Sequence, residues 1–204
     1  MAGDATRPYD ATRWIETSRG LLSYAELAPL LAERVLRVQQ KLEGAAYANA
    51  EFDENLLRQL HADFCGDLVR DWAGRWRAIA VRVGSREPPP PHLVAEHMRN
   101  YAGDLQAQLS GPLDLTLLPE HLAFAEERLL TIHPFQDFNG RLARLWLWEI
   151  LRRLELPPVD LVPPRGTRDA EKYLAALGAC DAGNLHPLTA IWQERLSRAS
   201  SIDA

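Results

Sequence analysis

Apolar positions recur at helical spacing along most of this chain. Leu30, Leu31, Val35, Val38 and Leu42 return every three or four positions up to Gly44. Proline fits only the first turn of a helix, so the pattern predicts a helix beginning near Pro29. Ser23 and Glu26 have capping-box spacing and read as a short turn before it. The polar residues 1–20, with Pro8 and Gly20, read as an irregular arm anchored by Trp14 and Ile15. Asp53 opens the next helix, with Leu56, Leu57, Leu60 and Phe64 on its apolar stripe; Gly66 ends or bends it, and the pattern continues to Gly74. Further helices are predicted from His92 to about Leu109, from Glu120 to Ile132, and from Asn139 or Gly140 through Leu151. Gly111 and Pro112 break the chain between the first two. After a proline-stiffened connector, Thr167 caps a helix to about Cys180, and Pro187 opens the last one.

A single stretch alternates with period two. From Arg77 to Gly84, Ile79, Val81 and Val83 fall on one side, and Pro88 to Pro91 then impose extended backbone. The expectation is an all-α helical bundle with one small β-hairpin. Residues 51–204 make its domain, with a core of about 51–195, and residues 1–50 form an N-terminal arm and helix.

Composition narrows the class without changing this picture. The 204 residues are 47% hydrophobic and 25% charged, the balance of a soluble globular domain. A net charge of −5 argues against nucleic acid as the partner, and no apolar run reaches membrane-spanning length. The N-terminus is too polar for a secretory signal, so the expected location is cytoplasmic. Cys65 and Cys180 cannot make a disulfide framework and read as core residues. His92 and His97 lack the spacing of a helical zinc pair, and His61 reads as a helix-packing residue. Neither a Walker-type phosphate loop nor a G-x-S-x-G elbow occurs.

The chemistry concentrates in His133-Pro134-Phe135-Gln136-Asp137-Phe138-Asn139-Gly140-Arg141-Leu142-Ala143-Arg144. Read physically, this is a tight loop feeding the start of a buried helix, where unpaired N–H groups and the helix dipole favour an anion. Arg141 and Arg144, three apart, can grip phosphate oxygens. Asp137 is a hard oxygen ligand of the kind Mg²⁺ takes, and His133 can accept a proton near neutral pH. A capped helix with surface arginines is the bland alternative.

The string resembles the signature of the Fic domain family, H-P-F-x-D/E-G/A-N-G-R-x-x-R, at eleven of its twelve positions. The departure is Phe138, where the family has a small residue. Leu57 to Arg77, with its A-G-x-aromatic-R ending, and Glu171 to Leu177 are similar to two further family segments. The resemblance implies a protein adenylyltransferase that moves AMP from ATP to a Ser, Thr or Tyr hydroxyl. His133 would be the base and Asp137 the Mg²⁺ ligand. Asn139, Gly140 and Arg141 would line the anion hole, and Arg144 would reach the terminal phosphate. Ile79, Val81 and Val83 would lie in the flap that docks the target segment. Gly140 favours AMP transfer, because relatives with Lys there act as kinases. Glu43-Gly44 fits the end of an inhibitory S/T-x-x-x-E-G pattern whose glutamate pairs with the second signature arginine, but Gln39 stands where Ser or Thr is expected. An ordinary helix stop is the other reading. A Phe138 ring in the site would displace phosphates; a ring in the core would leave the anion hole intact. A catalytically silent interaction module, or transfer of another nucleotide or phosphate-containing group, is the rival function. The target and its nucleotide preference are open, as are an antitoxin partner and a homo-oligomer.

Overall fold

The computed structural model describes residues 5–6, 13–110 and 114–200; the predicted break at Gly111 and Pro112 and most of the arm before Arg13 lie outside them. Seven α-helices occur among the described residues: α1 Tyr24–Glu43, α2 Glu54–Cys65, α3 Val94–Leu109, α4 Leu118–Ile132, α5 Asn139–Arg153, α6 Arg168–Asp181 and α7 His186–Ser200. The strands are short: β1 Ala5–Thr6, β2 Trp14–Thr17, β3 Gly20–Ser23 and β4 Arg82–Val83. β2 and β3 form an antiparallel hairpin, and β1 pairs parallel with β4.

Helix starts follow their caps. Ser23 and Glu26 close a full capping box, the Ser23 N–H donating to Glu26 Oε2 at 2.8 Å, so α1 begins at Tyr24 rather than at Pro29. Pro29 therefore sits inside the helix. Its missing N–H leaves the Ala25 carbonyl without a helical donor, and both residues lie on the exposed face where water can serve it. Asp53 caps α2 by accepting from the Asn55 and Leu56 N–H groups, and Thr167 caps α6 through the Ala170 N–H.

α5 lies at the centre. Leu142, Leu145, Trp146, Leu147, Ile150 and Leu151 are buried, each such side chain contributing about 1.5–3 kcal/mol. Trp146 stacks on Phe52 with 4.1 Å between ring centroids and donates Nε1–H to the Tyr101 hydroxyl, which donates to Ala125 O on α4. α1 and α2 pack on one side of α5, and α4 joins it to α3, α6 and α7. The carboxylate of Glu126, buried on α4, is met by Tyr173 of α6 and by Trp192 and Arg195 of α7, so the C-terminal pair is tied to the core by polar as well as apolar contacts.

Two further expectations change. From Arg13 onward the arm forms the β2–β3 hairpin, whose turn is pinned just beyond α2 by Ser18 N–H and Oγ–H bonds to Leu68 O and Asp67 O. Ile15 anchors it in the core, but Trp14 is 58% exposed. The predicted strand over 77–84 shrinks to Arg82–Val83, and before it the buried Arg77 side chain engages the Ile79 carbonyl in place of a ladder partner. Ile79 is exposed, and Val81 and Val83 are half-buried.

Candidate active site

α4 ends at Ile132, and His133 follows in the left-handed region (φ 49, ψ 60) with its N–H donating to Leu129 O at 3.0 Å. This cap reverses the chain into a loop that is bound at nearly every residue. The Asn139 amide donates to Phe135 O and accepts from Phe135 N–H, both at 2.9 Å. The buried His61 ring stacks on Phe135 at 3.9 Å. Its Nδ1 accepts from the Gly74 N–H at 3.0 Å, which assigns the proton to Nε2 and makes that nitrogen the donor to Asp137 O at 3.2 Å. Burial pushes the His61 ring down to about 4, consistent with the neutral tautomer that this network needs. Gly74 has φ +67, and a Cβ there would meet Arg58 O at 2.9 Å, so this contact requires glycine. His61 is thus more than a packing residue: it fixes the loop's register on α2.

The same loop carries the titratable pair. His133 Nδ1 is buried without a hydrogen-bond partner among the described residues. Burial pushes its imidazole down to about 3; the Leu130 carbonyl opposes this, and the Arg86, Arg77 and Arg13 cations add to it. The ring is therefore uncharged at neutral pH. Asp137 is buried, and that burial raises its carboxyl, with Arg13, the Phe138 N–H and Arg141 acting in the opposite direction. Its Oδ1 accepts from the Phe138 N–H at 2.7 Å. Its Oδ2 lies 2.9 Å from Arg13 Nη2 in an ion pair whose geometry falls short of a hydrogen bond. A buried anionic oxygen with unused lone pairs suits a hard cation, and a guanidinium from the arm holds that charge position here. A cavity of about 440 Å³ opens beside it, between Gln136, Asp137, Asp71 and the hairpin.

At the start of α5 the Phe138 question resolves. Its ring is 3% exposed and packs inside the core on Trp72 and Phe64 at 5.3 and 6.2 Å, with the Arg141 guanidinium over it at 5.9 Å. Its backbone still takes φ 64, the left-handed conformation that a small residue would adopt more cheaply. Gly140 is exposed, and a Cβ built on it meets no atom within 4 Å. Packing gives no reason for glycine there, but open space above unpaired helix N–H groups is what an approaching anion needs. The Asn139 side chain is spent on Phe135, so only its backbone faces that end. Arg141 donates to the Tyr24 hydroxyl at 2.6 Å and lies over the Tyr24 ring. Arg144, half-buried one turn on, reaches Tyr173 of α6 electrostatically.

Glu43 does not belong to this group. It is exposed in the last turn of α1, accepting from Gln39 at 3.2 Å. The opposite end of α1, at Tyr24, is the one that touches Arg141. At 1.5 Å per residue, 19 residues of helix place Glu43 about 28 Å from that end, beyond reach of Arg144. The sequence pattern therefore reads as a helix stop. Conversely, sequence reading missed Arg13 and Tyr24, which carry no motif, and gave Arg77 no role. The A-G-x-aromatic-R ending was the one available signal for the last.

The sequence profile of the Fic/DOC family matches residues 51–151. The chain is 37% identical over 130 residues to "Protein adenylyltransferase fic-1" of Caenorhabditis elegans, covering 63% of this chain and 24% of that protein. It is 31% identical over 147 residues to "Protein adenylyltransferase Fic" of Drosophila willistoni, covering 69% and 28%. The chain therefore spans about a quarter of the length of these relatives. Its fold is similar to that of C. elegans Fic-1 (residues 134–508), with TM-score 0.63, 26% identity, and coverage of 85% of this chain and 48% of that one. Match, signature loop and helix-end geometry agree, and residues 51–151 are a domain of the Fic/DOC family.

Proposed function

We infer that this chain transfers AMP from Mg-ATP to a hydroxyl of a target protein. The observation that carries this reading is an uncharged imidazole, His133, fixed on the same bonded loop as a buried carboxylate and an arginine-flanked helix start. The adenylyltransferase names of the relatives support it.

The chain's own groups divide the work. His133 takes the proton of the acceptor hydroxyl as its oxygen bonds to the α-phosphorus. The bond from that phosphorus to the bridging oxygen breaks, and pyrophosphate leaves with the electron pair. The N-terminal backbone of α5 at Asn139 and Gly140, with Arg141, holds the phosphate oxygens, and Arg144 extends the grip. Asp137 is the residue that would hold Mg²⁺, whose charge neutralises phosphate oxygens when bound. No group of three or more His, Cys, Asp or Glu gathers among the described residues, so one carboxylate plus phosphate and water oxygens is the fitting ligand set. An imidazole lowered to about 3 is a weak base, but a bound triphosphate would raise it towards the range useful for proton transfer.

The flap segment, Ile79, Val81 and Val83 among it, is the proposed docking edge for the acceptor. The parallel pairing of Ala5–Thr6 with Arg82–Val83 supports this, since it places an extended strand of the chain on that edge.

The test is incubation with α-labelled ATP and Mg²⁺, comparing parent, Arg13→Ala and His133→Ala. Label is expected on protein hydroxyls with the parent, more strongly with Arg13→Ala because Asp137 is then open to the cation, and not with His133→Ala. Label that persists in His133→Ala, or none from either of the other two, would sink the reading.

A further inference from the structure

Five successive carbonyls, from the last turn of α4 into the site loop, each receive a donor from the flap segment. Arg86 forks across two of them, Nη2 to Leu130 O at 2.9 Å and Nη1 to Thr131 O at 2.6 Å. Arg77 takes the next two, Nη2 to Ile132 O at 3.3 Å and Nε to His133 O at 2.8 Å. Its backbone N–H takes the fifth, Pro134 O, at 2.9 Å. Arg77 also holds both ends of the flap, donating to Ile79 O at 3.1 Å and to Pro89 O at 2.6 Å. Cations at a helix C-terminus are ordinary, because the last carbonyls lack helical donors and carry the negative end of the dipole. Capping alone does not explain why both cations come from the flap, or why the run continues past the helix through His133 and Pro134.

Arg86 is itself well placed. Its backbone exchanges two bonds with Val83 across the flap turn, at 2.9 and 3.0 Å, and its Nε lies 2.9 Å from Asp181 Oδ1 at the end of α6. One side chain thus joins the flap turn, the end of α6 and the carbonyls just before the candidate base.

We propose that Arg86 is a positioning residue: its fork on Leu130 and Thr131, beside the buried Arg77, sets the distance between the docking strand and the His133 imidazole. This rests on the reading of His133 as base and of the flap as docking edge. The physical need is geometric. Proton removal and in-line attack require the acceptor oxygen within hydrogen-bonding reach of the ring, and a displacement of about 1 Å costs roughly a hundredfold in rate. A guanidinium can span two adjacent carbonyls in a fixed plane, whereas an ammonium presents a single point charge.

Arg86→Ala, Arg86→Lys and Asp181→Asn separate the fork from the ion pair. Three readouts apply: affinity for Mg²⁺ with a non-hydrolysable ATP analogue by calorimetry, AMP transfer to the chain's own hydroxyls, and hydrogen-exchange protection of the Val83 amide. The expectation for Arg86→Ala is unchanged nucleotide affinity, transfer slowed at least about tenfold, and Val83 protection reduced at least about tenfold. Arg86→Lys stays impaired, and Asp181→Asn behaves as the parent. Full restoration by lysine, or unchanged transfer and protection in Arg86→Ala, would overturn the proposal. Should the parent transfer no AMP, the functional reading fails, and the Val83 amide alone decides whether the fork sets the flap: protection unchanged in Arg86→Ala refutes it.

Discussion

Phe138 combines two opposed effects in one residue. Its left-handed backbone costs a Cβ-bearing residue about 1–2 kcal/mol, while its buried ring contributes more than that through Trp72 and Phe64. Phe138→Gly removes both. Loss of a phenylalanine side chain from a core costs about 3–5 kcal/mol, so a net destabilisation of about 1–4 kcal/mol is expected after the strain is relieved. Because the ring is held in the core by Trp72 and Phe64 and meets the site only beneath the Arg141 guanidinium, affinity for a Mg-bound ATP analogue should stay close to the parental value. Chemical denaturation and calorimetric titration check the two halves separately; a large gain in affinity would mean that the ring obstructs the site.

At the scale of elements, the orientation of α1 decides a regulatory question that its sequence left open. α1 runs alongside α5 with its N-terminus at Arg141 and its C-terminal end near Arg153, whose guanidinium reaches Tyr47 O just beyond α1. Glu43→Gly is therefore expected to leave AMP transfer and nucleotide affinity unchanged at subsaturating ATP, and a rise of several-fold would contradict this placement. The helices were legible because their caps and apolar stripes are local: Asp53 and Thr167 each mark a start, whereas the Ser23–Glu26 capping box reads in sequence as a separate turn because Pro29 follows it. The loop chemistry of His133 to Arg144 was legible for the same reason, since its groups lie within a dozen residues of chain. What sequence could not give were partners distant along the chain. His61 meets Asp137 across 76 residues and Arg77 meets His133 across 56, and nothing local in either says which residue it contacts. The flap was overread as a strand because alternation records which side a residue faces, not whether a ladder partner exists.

For the molecule as a whole, the two histidines whose imidazoles are pushed down, His61 and His133, make stability depend on acid. His61 titrates at about 4 in the folded protein against about 6.5 for an unperturbed imidazole. Between those values the unfolded chain binds a proton that the native state refuses, so stability falls as pH drops from about 6.5 towards 4. The limiting slope for one such group is about 1.4 kcal/mol per pH unit. His133, lowered to about 3, acts in the same direction over a wider window. Guanidinium titrations at pH 7 and pH 5 should show the parent losing more stability than His61→Gln over that interval, even though His61→Gln starts lower. Equal losses in both proteins would exclude His61 as a source of the acid sensitivity.

The Tyr24–Arg141 contact also bears on how the chain reaches its folded state. Its two residues are 117 positions apart. At a synthesis rate of about 5–20 residues per second, α1 leaves the ribosome roughly 6–24 s before the helix that receives it. In that interval Leu27, Leu31, Val35, Val38 and Leu42 have α2 as their early neighbour, joined through the pairing of Arg34 with Asp67. The other half of their apolar surface waits for α5. The nascent chain thus carries an unfinished helical pair for several seconds, and the arginine-flanked start of α5 is complete only when residue 144 has emerged.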